Sequence, residues 1–416
     1  MSVDAPAARH SSLSALRNRD FALFWSAGSI SNAGGWMQTV AVPALLFDIT
    51  RSATWLGIAS LASLIPAVIL TPYAGVLADR VSRRRILLIT QTVQMLNAFA
   101  LWATYLSGDI NKWVIIGSAL IGGVSTGFQT SAWQSFGPTL VPREQLLDAV
   151  KLNSMQYTLA RAIGPALAGL VVGTLGVGAA ILVNATTFLL VLGALAVSRP
   201  RQEIVDMSGE RALTVLREGA RFVWRRKPVR VAVILGFVSS LCGQSLQHVA
   251  AAVANRVYGH KSTDNAGLLV ALGIGAVLSS VSTVVIGDRL RRSSRVLVAL
   301  TLYVVSTTII AATHSYTVGL IGYFISGIAH LQTAMALNMV VQGSVPDNLR
   351  GRVTSFYILG ILAGIPLGAF ALGRLGDVYS MRTALFVDVV AFLLVAVTVV
   401  SRGWLKLLNS TNMDDD

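Results

Sequence analysis

The chain has 416 residues, of which 54% are hydrophobic and only 12% are charged, and its formal net charge is +14. Apolar stretches of about twenty residues recur along it, each long enough to cross a bilayer, so the composition excludes an ordinary soluble domain. The positive charge does not indicate nucleic-acid binding, because Lys and Arg accumulate in the short cytoplasmic loops of membrane proteins.

These stretches predict an all-α membrane protein with twelve transmembrane helices, here called spans 1 to 12. They cover residues 20–47, 54–78, 86–106, 112–136, 150–175, 178–198, 229–256, 265–287, 295–313, 316–342, 351–373 and 381–402. The predicted organisation is a cytoplasmic N-tail (1–19), an N-terminal six-helix bundle (20–198), a basic linker (199–228), a C-terminal six-helix bundle (229–404) and a disordered C-tail (405–416).

The distribution of basic residues predicts the orientation. Few lie in the loops on one side, and these are Arg51, Lys112, Arg256, Lys261, Arg374 and Arg382. The positive-inside rule therefore places both termini in the cytoplasm. The polar first nineteen residues do not resemble a cleaved signal peptide, so we expect span 1 to be the targeting signal.

The linker and the single cysteine are informative in different ways. Leu213, Leu216, Ala220 and Val223 have helical spacing among basic residues, which predicts an amphipathic helix in contact with lipid on the inner leaflet. Cys242 falls inside span 7, which excludes an intrachain disulfide. We expect no metal site and no cofactor.

An internal repeat indicates the class of membrane protein. A turn with aspartate followed by basic residues comes after span 2 and again after span 8, and its residues are Gly75, Asp79, Arg80, Arg83 and Arg84, then Asp288 and Arg289. Repeated helical halves are typical of secondary transporters. The dipeptide Gly-Lys never occurs, so no nucleotide-binding P-loop is present and neither ATP hydrolysis nor another enzymatic activity is predicted.

The stretch from Gly75 to Arg85 resembles the loop 2/3 signature of the major facilitator superfamily, with Ser82 where glycine is usual. Stretches beginning at Pro138, Ala160 and Gln342 are similar to a bacterial subfamily that contains enterobactin exporters and macrolide efflux proteins. The likeness runs from about Leu16 to Trp404. It implies the major facilitator fold in a bacterial cytoplasmic membrane and export of a siderophore, macrolide-like compound or other small organic molecule by alternating access, commonly against inward proton flow.

Asp79 is the predicted centre of an inner gate. Its carboxylate is placed to cap the N-terminus of span 11 or to pair with Arg352. Asp288 is its counterpart in the second half, but Asp148 stands at the position equivalent to Arg352, so we expect a weaker latch there. The alternative is that both basic clusters only anchor loops to anionic lipid.

Span 5 carries Gly164, Pro165 and Gly169, which resemble part of a motif associated with exporters. Span 11 has a similar series, Gly360, Gly364 and Gly368, around Pro366. Small residues permit close helix contact and proline permits a bend, so these are predicted surfaces on which the halves move. Ordinary tight packing is the alternative.

The resemblance implies a central cavity lined by spans 1, 4, 7 and 10. Its predicted polar lining is Asn32, Trp36, Gln129, Trp133, Gln244, Gln247, His248, His330 and Asn338, with Arg161 nearby in span 5. Arg161 either binds an anionic substrate or makes a structural bond to a neighbouring helix. The middle of spans 1 and 4 has no charged residue, which favours neutral or anionic substrates over cations.

The same absence leaves proton coupling open, since many proton-driven relatives carry charges in those two spans. If protons are coupled, the candidate carriers are Asp79, Asp388, His248 and His330; a packing role is the alternative for each histidine, and a structural role for Asp388.

Other readings share this architecture. An importer or a lysophospholipid flippase has the same fold, because fold does not fix direction or cargo. A non-transporting receptor is a further alternative. Ser245 and His248 do not make an intramembrane protease, because residues three apart on one helix do not face each other across a cleft.

The expected partners are a small-molecule substrate and membrane lipid, without nucleic acid, and we expect a monomer.

Overall fold

The structure, a computed structural model, describes residues 14–200, 212–286 and 291–409. Within these ranges the chain forms α-helices joined by short turns, and it also contains four short 3-10 helices. The described residues therefore agree with the predicted all-α class.

The first half contains five helices: α1 (Arg19–Thr50), α2 (Ala53–Arg80), α3 (Arg83–Ser107), α4 (Lys112–Thr139) and α5 (Leu146–Val197). The side chains of Ser82 and Asn111 accept hydrogen bonds from the first backbone N–H groups of α3 and α4 and so cap these helices. Gly176 has φ of 85°, which interrupts α5 and divides it into spans 5 and 6.

The second half begins with the linker helix α6 (Ala212–Arg225). Span 7 is built from three pieces: α7 (Lys227–Cys242), a 3-10 segment (Gln244–Val249) and α8 (Ala250–Arg256). Spans 8 to 12 are α9 (Asn265–Ile286), α10 (Arg292–Ala312), α11 (Tyr316–Gly343), α12 (Asp347–Val378) and α13 (Met381–Ser401), and a short α14 (Trp404–Asn409) follows.

Nine segments of the described chain are long and apolar enough to cross a membrane. Neither α1 nor α4 is among them, and spans 5 and 6 share one segment, Ile163–Val197. The all-α membrane fold is confirmed, while the count of twelve crossings stays a prediction.

The helices form two groups, which we call the N-bundle (α1–α5) and the C-bundle (α7–α13). In the N-bundle α1 packs along α5 and α2 along α4, and in the C-bundle α11 packs between α9 and α10. The bundles meet where α2 packs on α12 and α5 on α9. We call the face at which α1 begins and α13 ends the proximal face, and the opposite one the distal face.

Glycines bring α2 and α12 into backbone contact in their distal halves. A Cβ atom at Gly57 would lie 2.4 Å from Cα of Phe370, and one at Gly373 would lie 2.3 Å from the carbonyl oxygen of Ala53. Any side chain at these two positions would separate the bundles. The distal half is therefore a tightly closed interface.

The glycines at the middle of α12 face a helix of their own bundle. A Cβ at Gly364 would lie 2.7 Å from the carbonyl oxygen of Phe237, and one at Gly368 would lie 1.7 Å from that of Leu241, both in α7. The nearest atom to a Cβ at Gly360 is 3.9 Å away. Gly364 and Gly368 thus pack α12 within the C-bundle rather than between the halves.

The linker helix α6 lies against the proximal end of α12. Val223 is 3% exposed within the C-bundle core, whereas Trp224 on the next position is 65% exposed. A Cβ at Gly219 would approach the carbonyl oxygen of Arg352 to 2.7 Å. The predicted amphipathic helix is present, and its contact with lipid stays a prediction.

Gly368→Ala should destabilise the protein, because its new methyl group would occupy the space of the Leu241 carbonyl. Overpacking of this kind costs about 1–3 kcal/mol, so thermal unfolding of the purified protein in detergent should shift to lower temperature. Gly360→Ala is the matched control on the same helix and should unfold at the wild-type temperature or slightly above it. Equal midpoints for the two variants would contradict the described packing of α12 on α7.

Candidate functional site

Two arginines of the predicted gating motif hold the N-bundle together at its proximal face. The guanidinium of Arg84 donates to the carbonyl oxygens of Leu195, at 2.6 Å, and of Ala196. Arg83 reaches the carbonyl oxygen of Ser135 at 3.5 Å. Carbonyls in the last turn of a helix lack intrahelical partners and attract cations, so Arg84 stabilises the end of α5.

Arg352 pairs with Glu218 of the linker helix, which ties α6 to α12. The side chains of Asp79 and Arg80 and the surroundings of Gly75 lie outside the described part of the chain, as do Asp288 and Arg289 entirely. The inner-gate hypothesis for Asp79 therefore stays a prediction. Asp148 accepts a hydrogen bond from Ser14 at 2.6 Å.

The motif residues of span 5 lie on two surfaces. A Cβ at Gly164 would lie 2.5 Å from Cβ of Trp36 in α1, within the N-bundle, whereas one at Gly169 would lie 2.9 Å from Cβ of Ala266 in α9, across the interface. Pro165 lies inside α5 next to Gly164. The side chain of Arg161 is outside the described part.

A cavity of about 370 Å³ lies between the N-bundle and the 3-10 segment of span 7. Its polar lining consists of hydroxyl, amide and imidazole groups, namely Gln38, Thr39, Ser60, Ser63, Gln94, Asn97, Ser118, Thr126, Asn184, Gln247 and His248. Trp36 and Phe188 add aromatic surface, and Leu46, Leu56 and Leu269 add apolar surface. No aspartate, glutamate, lysine or arginine of the described chain lines it.

Amide side chains link the helices around this cavity. Asn184 of span 6 donates to Gln38 of α1. Gln94 and Gln129 share a hydrogen bond of 2.7 Å between α3 and α4, and Asn97 donates to the carbonyl oxygen of Ser118 at 3.1 Å. Polar groups in a bilayer are unfavourable unless they are hydrogen-bonded, so these bonds stabilise the cavity wall.

His248 is the contact between the two bundles at the cavity. Its Nδ1 lies 3.4 Å from the hydroxyl oxygen of Ser60 in α2, and its Nε2 lies 3.4 Å from the amide nitrogen of Gln247. Because the imidazole joins α2 to span 7, it is placed to respond to any relative movement of the bundles.

The predicted lining is reproduced only in part. Trp36, Gln247 and His248 line the cavity, and Gln129 touches it through Gln94. The remaining predicted residues, Asn32, Trp133, Gln244, His330 and Asn338, are not in the described lining. Trp133 is 3% exposed and packs on Phe24 in the N-bundle core, with ring centroids 4.8 Å apart. His330 is 8% exposed within α11, and Asn338 accepts from Gln342.

Sequence reasoning missed Gln38, Gln94, Asn97 and Asn184. The latter three come from spans 3 and 6, which are not among the four spans that the resemblance places around the central cavity. Their signal was available, since Gln94 and Asn97 are amides three residues apart in an otherwise apolar span. Three-residue spacing places both on one helix face, which marks a polar stripe inside the bundle.

Asp388 is separate from this cavity. It is 5% exposed in α13, lies beside the thiol of Cys242 in α7, and its Oδ2 atom has no hydrogen-bond partner among the described residues. Its setting in the C-bundle core is that of a buried carboxyl group held between α7 and α13.

The distal face is closed by Asp377 at the end of α12. Its carboxylate accepts from the backbone N–H groups of Ala53 and Thr54, at 2.9 and 2.8 Å, and from the hydroxyls of Ser52 and Thr54. These are the free donors at the N-terminus of α2, where a negative charge is favoured. A residue of the C-bundle thus caps a helix of the N-bundle.

Arg256 of α8 completes this contact, which we call the distal latch. Its guanidinium lies 2.7 Å from Asp377 and also donates to the carbonyl oxygens of Gly376 and Arg51. It lies over the ring of Phe47 at 5.3 Å. The Arg256 and Asp377 side chains are only 28% and 15% exposed, so solvent screens the pair less than a surface pair.

Two further groups brace the distal face of the C-bundle. Arg382 donates to the carbonyl oxygens of Ala311 and Val257, at 2.7 and 2.9 Å. The Tyr258 hydroxyl donates to the carbonyl oxygen of Ile310 at 3.3 Å. Burial raises the pKa of Tyr258, so it stays a neutral donor at physiological pH.

The comparisons with known proteins agree with this architecture. The model of a family described as transmembrane secretion effector matches residues 10–415. The multidrug efflux pump Tap of Mycolicibacterium fortuitum is 26% identical over 395 residues, which cover 91% of this chain and 94% of Tap. The enterobactin exporter EntS of Salmonella choleraesuis is 24% identical over 340 residues, 81% of each chain.

A solved structure extends the likeness to three dimensions. The crystal structure of the nucleoside transporter NupG superposes with a TM-score of 0.73 at 10% identity, covering 94% of this chain and 99% of NupG. At this identity the similarity concerns the fold alone.

Asp377→Ala should open the distal face. Hydrogen bonds to a charged group contribute about 1.5–3 kcal/mol each, so losing them should raise the population with an open distal face at least about tenfold. Thr39→Cys in a Cys242→Ser background provides a cavity thiol whose labelling by a membrane-impermeant maleimide, added at the distal side, measures that population.

Asp109→Ala is the matched control, because this exposed aspartate lies in the turn between α3 and α4 on the same face. It should label at the wild-type rate. Equal labelling of the Asp377→Ala and control proteins would show that the latch does not hold the face closed.

Proposed function

Because the chain belongs to the transmembrane secretion effector family of the major facilitator superfamily, whose members are transporters and not enzymes, we propose that it exports a small organic molecule by alternating access. The observation that carries this proposal is a polar cavity at the junction of two bundles that are latched together on the distal face. Such a cavity is a binding site with one closed exit.

Export is favoured over import by the relatives that span most of the chain. Tap is a multidrug efflux pump and EntS an enterobactin exporter. With the termini placed in the cytoplasm by the positive-inside rule, the proximal face is the side of substrate entry and the distal face the side of release. The site of action is then the cytoplasmic membrane of a bacterium.

The cavity lining supports a neutral substrate over a cation. An organic cation is usually met by a carboxylate, and the described lining contains none. The sequence also places Arg161 in span 5, where its positive charge would favour an anionic substrate, so anions stay among the candidate substrates. Siderophore-like and macrolide-like natural products are the first compounds to test.

Proton antiport would supply the energy for export against a gradient. Among the sequence-derived candidates whose side chains the structure describes, His248 is the one in the cavity lining, and it bridges the bundles through Ser60. We therefore place it ahead of Asp79, Asp388 and His330 as the proton carrier.

The direct test is reconstitution in liposomes that enclose a pH-sensitive dye. With a membrane potential and a pH gradient imposed, enterobactin or erythromycin should dissipate the proton gradient in protein-containing liposomes and not in empty ones. Movement of radiolabelled compound without proton flux would support the proposal that the protein is a transporter and contradict the proposal that it is coupled to protons. No movement of either compound class would count against the proposed substrates.

Asp79→Asn should reduce transport at least about tenfold while leaving membrane insertion and folding intact, because the neutral amide loses the charge that would hold the inner gate. The measurement is initial uptake into inverted vesicles, normalised to protein content. Asp109→Asn, on the opposite face, should transport normally. Wild-type rates for Asp79→Asn would remove the inner-gate hypothesis and leave the cavity assignment untouched.

A further inference from the structure

The cavity offers hydrogen-bonding atoms that its own wall does not use. Asn97 donates its side-chain N–H to the carbonyl oxygen of Ser118. The side-chain oxygen of Asn97 is therefore available to accept a hydrogen bond from a ligand. Gln94 and Gln247 have one described partner each. Gln38 accepts from Asn184, which leaves its own amide donor available. Thr126 is exposed to the cavity, and no described bond uses its hydroxyl.

These groups both donate and accept, and none carries a formal charge. A carboxylate or phosphate could only accept from them, and an ammonium could only donate, so each would leave part of the lining unpaired. Polar groups left unpaired in a low-dielectric cavity weaken binding, because they lose their hydrogen bonds to water without gaining others. A hydroxyl group donates and accepts at once and therefore matches an amide-lined wall.

The rest of the lining fits the apolar faces of a ligand that carries such hydroxyl groups. Trp36 and Phe188 provide flat aromatic surface, and Val42, Leu46 and Leu56 surround it toward the distal end. Ring C–H groups of a sugar or cyclic polyol can pack on such surface while the hydroxyls face the amides. The volume of about 370 Å³ is at the small end for ligand pockets, which suits one or two rings.

We infer that this cavity binds an uncharged, multiply hydroxylated ring, either a free sugar or the glycosyl part of a larger natural product. The inference rests on the proposed function only in taking the cavity as the substrate site. Its test is a binding measurement without transport, so failure of one does not imply failure of the other.

Binding is measured as ligand-induced thermal stabilisation of the purified full-length protein in detergent, since a ligand that binds only the folded state raises the unfolding temperature. The probes are lactose, trehalose and the glucoside salicin, compared with charged single-ring analogues, glucosamine and glucuronate. Salicyl alcohol, the aglycone of salicin, shows whether the sugar part is required. The neutral hydroxylated probes should stabilise and the charged ones should not.

Stabilisation by lactose or trehalose indicates a free sugar as ligand, and stabilisation by salicin alone indicates a glycoside. Stabilisation by glucosamine or glucuronate equal to that by the neutral sugars would overturn the inference. So would the absence of any shift with all three neutral probes.

Two residues three positions apart in α3 give a matched pair of variants. Gln94→Leu removes an amide from the cavity lining and should weaken binding about tenfold, the loss of about one hydrogen bond. Gln91 is 2% exposed, lies outside the described lining and has an unpaired oxygen, so Gln91→Leu should fold and bind as the wild type does.

Thr126→Val is a second lining variant that keeps the side-chain shape and should weaken binding several-fold even if Gln94→Leu fails to fold. Equal affinity in Thr126→Val, Gln91→Leu and the wild type would show that the ligand binds elsewhere.

Discussion

The contact of the Asp377 carboxylate with the first backbone N–H groups of α2 determines the conformation of the structure, in which the distal face is closed. A helix N-terminus carries free donors and a partial positive charge, and here the acceptor comes from the opposite bundle. With Arg256 added, one carboxylate joins α2, α8 and α12. The backbone approach at Gly57 and Gly373 lies on the same two helices beside this contact, so the cap and the glycine packing close the distal face together.

The sequence predicts the same arrangement at the other end of the same helix pair. The two helices run antiparallel, so Asp79 near the C-terminus of α2 is predicted to cap the N-terminus of α12, as Asp377 near the C-terminus of α12 caps that of α2. A pair with a carboxylate cap at each end can be closed on one face while open on the other. Alternating access would then exchange one cap for the other.

The all-α membrane fold was predictable because the length of apolar stretches follows directly from the thickness of the bilayer, and the break at Gly176 lies between the predicted spans 5 and 6. The distal latch was not, because Asp377 lies in the last turn of an apolar helix, Ala53 and Thr54 are more than 300 residues away in sequence, and Arg256 is 121 residues away. Gln94 and Asn97 were missed for a different reason. Cavity positions were assigned from the resemblance to a known fold, and the polar stripe that these two amides form in span 3 was not used. Among the described side chains Arg352 pairs with Glu218, a contact that the sequence did not predict, and its predicted pairing with Asp79 stays a prediction.

The cavity and the latch are built on the same helices, which gives a physical route between them. α2 carries Ala53 and Thr54 at the latch and Ser60 and Ser63 at the cavity. Span 7 likewise carries Gln247 and His248 at the cavity and Arg256 at the latch. A substrate can shift this equilibrium only by its difference in affinity for the two states. A ligand that pairs better with the amide wall once α2 has moved away from His248 would therefore release Asp377 without touching it. Since the latch combines several charged hydrogen bonds, the substrate must form new bonds in the open state for whatever part of the latch the cap at Asp79 does not replace, and an amide-lined cavity provides these bonds for a ligand rich in hydroxyl groups.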